Sequence, residues 1–292
     1  MRLMITGWQG QVARAFLEAA PGRPEITACA LGRPALDICN IRTIERSLAD
    51  VNPDVVINTA GYTAVDEAES DEERSFALNR DGALLIAEAA ARRGLPIIHL
   101  SSDYVFDGRK TGPYLETDTP APLNVYGRSK LEGELAVAAA NERHIILRTS
   151  WIFSPFGRNF VTTIRQRMTA GGPLAIVHDQ RGNPTYAPDL VDAILSIASA
   201  VTKEHEAPPQ WGTYHASGSE QATWYDVAVA VRDQHPSRNA IMLSPIPASQ
   251  YPTKAARPAN ATLDCSKLRQ HFGITLSGWR SGLERCLERI GE

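Results

Sequence analysis

The first thirteen residues constrain the fold more than any other stretch. A short apolar run, RLMIT, passes directly into GWQGQVA. Leu3, Met4 and Ile5 suit a buried strand, and Gly7, Gly10 and Ala13 set a G-x-x-G-x-x-A spacing behind it. Glycine allows a tight turn and close backbone approach, and the amides of the helix that follows can hold a pyrophosphate. Ala13 is small enough for that helix to pack close to the strand. A strand–glycine–helix junction is also ordinary turn chemistry, so the motif alone is weak.

The rest of the chain repeats the theme. Strands are expected at 2–6, 25–31, 54–59, 96–101 and 144–149, with helices near 10–20, 41–50, 72–93 and 125–140. This alternation predicts an α/β, Rossmann-like doubly wound parallel sheet covered by helices on both faces. Beyond Trp151 the pattern loosens. Apolar segments near 174–177 and 213–216 alternate with helices at 158–169, 188–201, 223–234 and 279–290, and the proline-rich 243–258 reads as loop. Residues 1–150 are therefore expected to form the dinucleotide-binding domain. Residues 151–292 mainly form a smaller α/β substrate-binding lobe, with segments free to cross between the two.

Tyr126 and Lys130, in NVYGRSKLEGE, are four apart and share one helix face. The competing reading is an exposed helix on which Tyr126 packs and Lys130 is solvated. Upstream, PIIHLSSDYVFDG reads as a buried strand ending in Ser101, Ser102 and Asp103, and open parallel sheets bind ligands beyond such strand ends. Ser, Tyr and Lys in this order point to carbonyl chemistry with a nicotinamide cofactor. After the second strand, ACALGRPALD offers Arg33 and no acid before Asp37. A guanidinium suits the additional phosphate of NADP, whereas an acid would suit the ribose hydroxyls of NAD. NADPH is favoured, with NADH as the alternative and a plain surface role for Arg33 as the competing reading.

Composition narrows the class further. A net charge of −3 gives no whole-chain basic footprint for nucleic acid. No secretory signal and no apolar run of membrane-spanning length is seen, so a cytoplasmic protein without a membrane partner is expected. The four cysteines form no C-x-x-C pair and the seven histidines no H-x-x-x-H pair, so neither a disulfide framework nor a metal is expected. His99, in a buried strand, reads as a satisfied core histidine.

These residues resemble the extended short-chain dehydrogenase/reductase superfamily and, more narrowly, the dTDP-4-dehydrorhamnose reductases. The likeness spans nearly the whole length. It is carried by GWQGQVA, NTAGYTAVDEAE (58–69), SSDYVFDG (101–108), PLNVYGRSKLEGE (122–134), RTSWIF (148–153), DQRGNPTYAPDL (179–190) and YPTKAARPANATLD (251–264). The resemblance implies NADPH-dependent reduction of the C4 ketone of a nucleotide sugar, dTDP-4-dehydro-L-rhamnose. It implies Tyr126 as proton donor, Ser102 on the carbonyl oxygen, and Lys130 favouring proton release while holding the nicotinamide ribose. It also puts Gln11, Val12, Asp37, Ile38, Gly61, Tyr62 and Thr63 around the cofactor, and Trp151 in the sugar pocket.

Competing readings stay open for three residues. Asp103 positions substrate or caps local backbone. Trp151 lines the pocket or belongs to the core. Arg257, in AARPANATL, matches the pyrophosphate or forms a surface salt bridge. Where some family members carry an acid for a metal-linked dimer, this chain has Ala15. A metal-bridged dimer is thus not expected, and other homodimers stay open. An epimerase, a dehydratase and a reductase of opposite stereochemistry share the scaffold. Tyr104 after Asp103, in place of Glu, counts against the dehydratase. A non-catalytic regulatory subunit, as in methionine adenosyltransferase, is disfavoured by the intact Ser102, Tyr126 and Lys130.

Overall fold

Five apolar runs become the strands β1 (Arg2–Thr6), β2 (Thr27–Leu31), β3 (Val55–Asn58), β4 (Ile97–Ser102) and β5 (His144–Thr149) in a computed structural model describing residues 1–202, 210–237 and 241–291. Every residue of β3 and β4 is buried. With helices on both faces neither side meets water, which is why these segments read as continuous rather than alternating apolar runs. All pairings in the sheet are parallel, in the order Gly212–His215, β5, β4, β3, β1, β2. The direction of strand addition reverses around β1, between β2 and β3. A crevice therefore opens beyond the C-terminal ends of β1 and β3, where such sheets bind ligands.

Two core clusters clamp the sheet. On one face Leu3, Ile5 and Phe16, the last from α1 (Gln11–Ala19), pack with Leu190, Ile194 and Ile197 of the Ala187–Thr202 helix and with Tyr214. On the other, Met4 and Val56 meet Ile44 and Leu48 of α2 (Ile41–Val51), together with Ile86 and Val137. A third cluster, including Phe153, Ile164, Met168, Val227, Trp279 and Leu283, lies wholly in the second half of the chain.

Two elements differ from the sequence reading. The helix expected over 72–93 is interrupted by a π-helical turn, Ala77–Asp81. The bulge carries Asn79, whose amide is turned inward onto Tyr62 N, Tyr62 O and Ser129 Oγ at 2.8, 3.1 and 2.9 Å. Within the stretch read as loop, Leu243–Ile246 pairs in parallel with Leu174–Val177. Pro245 suggests loop because it has no N–H, but a two-stranded ribbon has a free edge where that loss is tolerated. Among the described residues no helix is long and apolar enough to cross a membrane.

Candidate active site

The crevice floor is built from strand-end side chains. Thr6 Oγ1 donates to Asn58 Oδ1 at 2.6 Å and accepts from the Thr59 and Ala60 amides at 3.1 and 2.9 Å. Asn58 Nδ2 meets His99 Nδ1 at 2.9 Å, and burial holds His99 well below its ordinary pKa, so the ring is neutral. Gly7 has φ +82°, and a Cβ there would stand 3.1 Å from Ala60 Cα, so turn and close approach both require glycine. Gly10 caps α1 without a side-chain hydrogen bond, and no acid sits in the first turn. Amides left this way, with the positive end of the helix dipole, fit a pyrophosphate, so this turn suits a dinucleotide.

Above that floor lies a cavity of about 500 Å³. Its lining includes Gly10, Gln11, Val12, Gly61, Tyr62, Thr63, Ser102, Asp103, Tyr126, Lys130 and Trp151. The sequence thus brings these residues from five segments to one place.

The Val125–Ala140 helix delivers Tyr126 and Lys130. Asn124 caps it, accepting from Gly127 N at 2.7 Å and donating to Ala256 O at 2.7 Å. A Cβ on Gly127 would lie 2.2 Å from the Tyr104 carbonyl oxygen, so glycine here lets the helix seat against the exit of β4. Its buried face holds Ser129, Lys130 and Glu134. A helix that buries its polar residues breaks the ordinary amphipathic rule, as functional sites do. The exposed-helix reading of Tyr126 and Lys130 fails on this point.

Burial sets the electrostatics. Lys130, 6% exposed, donates from Nζ to Leu100 O at 2.5 Å. Desolvation lowers its pKa to about 8, opposed by Glu134 one turn on. Glu134 is itself held by Arg148, at 2.7 and 2.9 Å, and by Ser101 at 2.5 Å. Tyr126 keeps some surface open to the cavity, but its phenol is packed round by protein. Desolvation pushes it up to about 12, a hydrogen bond shared with Ser102 lowers it, and Asp103 raises it. The sequence reading expects Lys130 to favour proton release from Tyr126. In the structure burial outweighs every other influence on the phenol, and Lys130 is not among the causes.

Asp103 is 2% exposed and raised to about 7 by desolvation, although Ser150 and Ser102 donate to it at 2.8 and 2.9 Å. The local backbone cap falls to Ser102, which accepts from Tyr104 N at 3.2 Å. Trp151 is half-buried, has φ +46°, and stacks on Trp224 at 3.5 Å with 7° between the rings.

Gly7, Arg33, Asp37 and Ile38 lie outside the cavity lining. Gly7 shapes the turn beneath it. Arg33 is exposed beyond β2, the Asp37 carboxylate accepts from Cys39 N at 3.0 Å, and Ile38 is buried in the core. Arg257 lines a second pocket, of about 270 Å³. It forms a salt bridge there, with Nη1 and Nη2 on the two Asp66 oxygens at 3.0 and 2.8 Å. Sequence reasoning missed Asn79, Tyr104, Arg158 and Trp224, which also line the cavity. Tyr104 lies inside SSDYVFDG and could have been found; Arg158 and Trp224 carry no local signal.

A family profile described as RmlD substrate binding domain matches residues 1–291. The chain belongs to this family. The dTDP-4-dehydrorhamnose reductase of Sinorhizobium fredii (strain NBRC 101917 / NGR234) is 46% identical over 290 residues, covering 98% of this chain and 97% of that protein. The reductase of the same name from Aggregatibacter actinomycetemcomitans is 39% identical over 287 residues, covering 97% of each. Among solved structures, dTDP-4-dehydrorhamnose reductase from Bacillus anthracis str. Ames, in complex with NADP, matches with a TM-score of 0.90. It is 30% identical, and the match covers 99% of both chains. Family membership at full length agrees with the likeness read from the motifs.

Proposed function

We propose that this chain is a cytoplasmic, NADPH-dependent reductase of the C4 ketone of dTDP-4-dehydro-L-rhamnose, yielding dTDP-L-rhamnose. The observation that carries the reading is one cavity lined at once by the glycine turn, Ser102, Tyr126 and Lys130. NADPH, when bound, supplies the hydride. The uncapped start of α1, with Gly10, Gln11 and Val12, would hold its pyrophosphate, and Gly61, Tyr62 and Thr63 would border it. Lys130 would take the nicotinamide ribose and Arg33 the additional phosphate. Asp37 and Ile38 would contribute through backbone, since their side chains are engaged elsewhere.

Ser102 orients the ketone oxygen by hydrogen bonding. Tyr126 gives its proton to that oxygen as negative charge develops there. A phenol pushed up to about 12 is fully protonated at neutral pH, so the acid form is the resident one. A sugar alkoxide is more basic still, and the transfer runs downhill. Lys130, lowered to about 8, remains mostly charged at neutral pH, a cation on the same helix face as the phenolate that results. Asp103 steadies Ser102, Trp151 offers an apolar face to the deoxysugar, and Arg257 borders the diphosphate end.

Tyr126→Phe tests the assignment. The variant should fold and bind NADPH, while turnover of dTDP-4-dehydro-L-rhamnose falls on the order of 100-fold or more. NADPH oxidation, with product stereochemistry determined, is the measurement. Near-normal turnover would remove Tyr126 from the mechanism, and a different product would remove the substrate reading.

A further inference from the structure

The catalytic cavity and the second pocket share two lining residues, Arg158 and Trp224. A nucleoside-diphosphate sugar has the matching layout, with an uncharged sugar at one end, a nucleoside at the other and two phosphates between. For a ligand that spans both spaces, the negative charge falls at their junction. The second pocket is lined by three guanidiniums, Arg158, Arg167 and Arg257, against one carboxylate, Asp66. That excess is local, since the whole chain carries −3.

The three arginines are not equivalent. Arg257 is bidentate on Asp66 and also donates from Nη1 to Ala255 O at 3.1 Å, so much of its charge is offset and its donors are occupied. Among the described residues no hydrogen bond or ion pair engages the Arg158 guanidinium. Arg167 lines only the second pocket. Arg158 alone combines an uncompensated charge with a place at the junction.

Its backbone is well fixed. The neighbouring Asn159 donates to Ser154 O at 2.8 Å and to Gln11 Oε1 at 3.0 Å, and accepts from Thr162 N at 3.1 Å. Ser154 Oγ donates to the same Gln11 oxygen at 2.7 Å. Gln11 opens α1 in the dinucleotide turn. One side chain of the cofactor turn thus fastens the loop that presents Arg158.

We infer that Arg158 binds the diphosphate of the nucleotide sugar. The inference rests on the reductase reading for its substrate class, but it concerns a diphosphate and can be tested without turnover. The experiment is calorimetric titration of dTDP and, separately, of thymidine into the NADPH-loaded enzyme. Arg158→Ala should weaken dTDP roughly 10- to 100-fold, the scale of one charge-assisted contact, and leave thymidine within about twofold. Arg158→Lys should recover part of the loss, because it keeps the charge but not the planar fork. Arg158 is exposed and without a described partner, so neither variant should shift the melting temperature.

Three results overturn the assignment: unchanged dTDP affinity in Arg158→Ala, equal losses for dTDP and thymidine, or a wild type that binds dTDP no better than thymidine. NADPH oxidation in the same preparations tests the reductase reading separately. A wild type that binds dTDP through Arg158 yet reduces nothing would keep this assignment and lose that one.

Discussion

Ser102 and Ser150 both donate to Asp103, yet desolvation still pushes this carboxyl up to about 7. Between the ordinary carboxylate range and pH 7, the folded chain holds a proton that the unfolded chain has released. The stabilising contribution is therefore full below about pH 4 and is lost as pH rises through 7. Asp103→Asn removes that slope, so its stability relative to wild type should climb by up to ~4 kcal/mol between pH 4 and pH 8. Urea unfolding at both pH values checks this, and parallel changes in the two proteins would show that another group titrates. Arg33 offers a second residue-level test. Arg33→Ala should weaken NADPH about 10- to 150-fold and NADH little, and small equal effects on both would mean that Arg33 does not read the phosphate. Identity at this scale was legible in the sequence, while environment was not. The order Ser102, Tyr126, Lys130 can be read from the chain, but the burial that lifts Tyr126 and Asp103 and lowers Lys130, and the contacts from Glu134 and Ser150 that oppose it, come only with the folded neighbours.

Elements position these side chains, and the catalytic helix does so by close approach. Gly127 sits where a Cβ would meet the Tyr104 carbonyl oxygen at 2.2 Å and Pro122 Cβ at 3.0 Å. Backbone is the first obstacle, so a methyl group must displace the helix start that carries Tyr126. Gly127→Ala should lower turnover on the order of 100-fold, as expected for a misplacement of about 1 Å. It should also cost about 1–3 kcal/mol of stability from overpacking. Kinetics and thermal melts decide this, and wild-type values in both would mean that the helix accommodates the methyl. Long elements were legible because their apolar runs and spacings are local properties. The π-helical turn at Ala77–Asp81 was not, since it is fixed by Asn79 reaching Tyr62 and Ser129, residues 17 and 50 positions away. Trp224 escaped for the same reason: its stacking partner, Trp151, comes from a remote segment.

At the scale of the whole molecule, the sheet is completed from both halves of the sequence. The apolar run near 213–216 was readable as a strand, but its pairing with β5 is decided by tertiary closure, which no local pattern records. The Ala187–Thr202 helix likewise covers the face of the sheet that α1 shares, and Leu190, Val191, Ile194, Leu195, Ile197 and Val201 are all buried there. At about 1.5–3 kcal/mol per buried side chain, these six alone contribute roughly 9–18 kcal/mol. That is as large as the entire stability of an ordinary domain, about 5–15 kcal/mol. Residues 1–150 hold the glycine turn, Ser102, Tyr126 and Lys130, yet they lack both the sixth strand and this helix. Expressed alone, they should fail to fold into an NADPH-binding unit, with α1 and one sheet face left open to water. The full chain should unfold in a single cooperative transition, and NADPH at 100 times its Kd should stabilise it by about 2.7 kcal/mol. Amide hydrogen exchange on the 1–150 fragment, with NADPH titrated by fluorescence, is the measurement. Native-like protection in β1, β3 and β4 together with full NADPH affinity would show that the first half stands without the second.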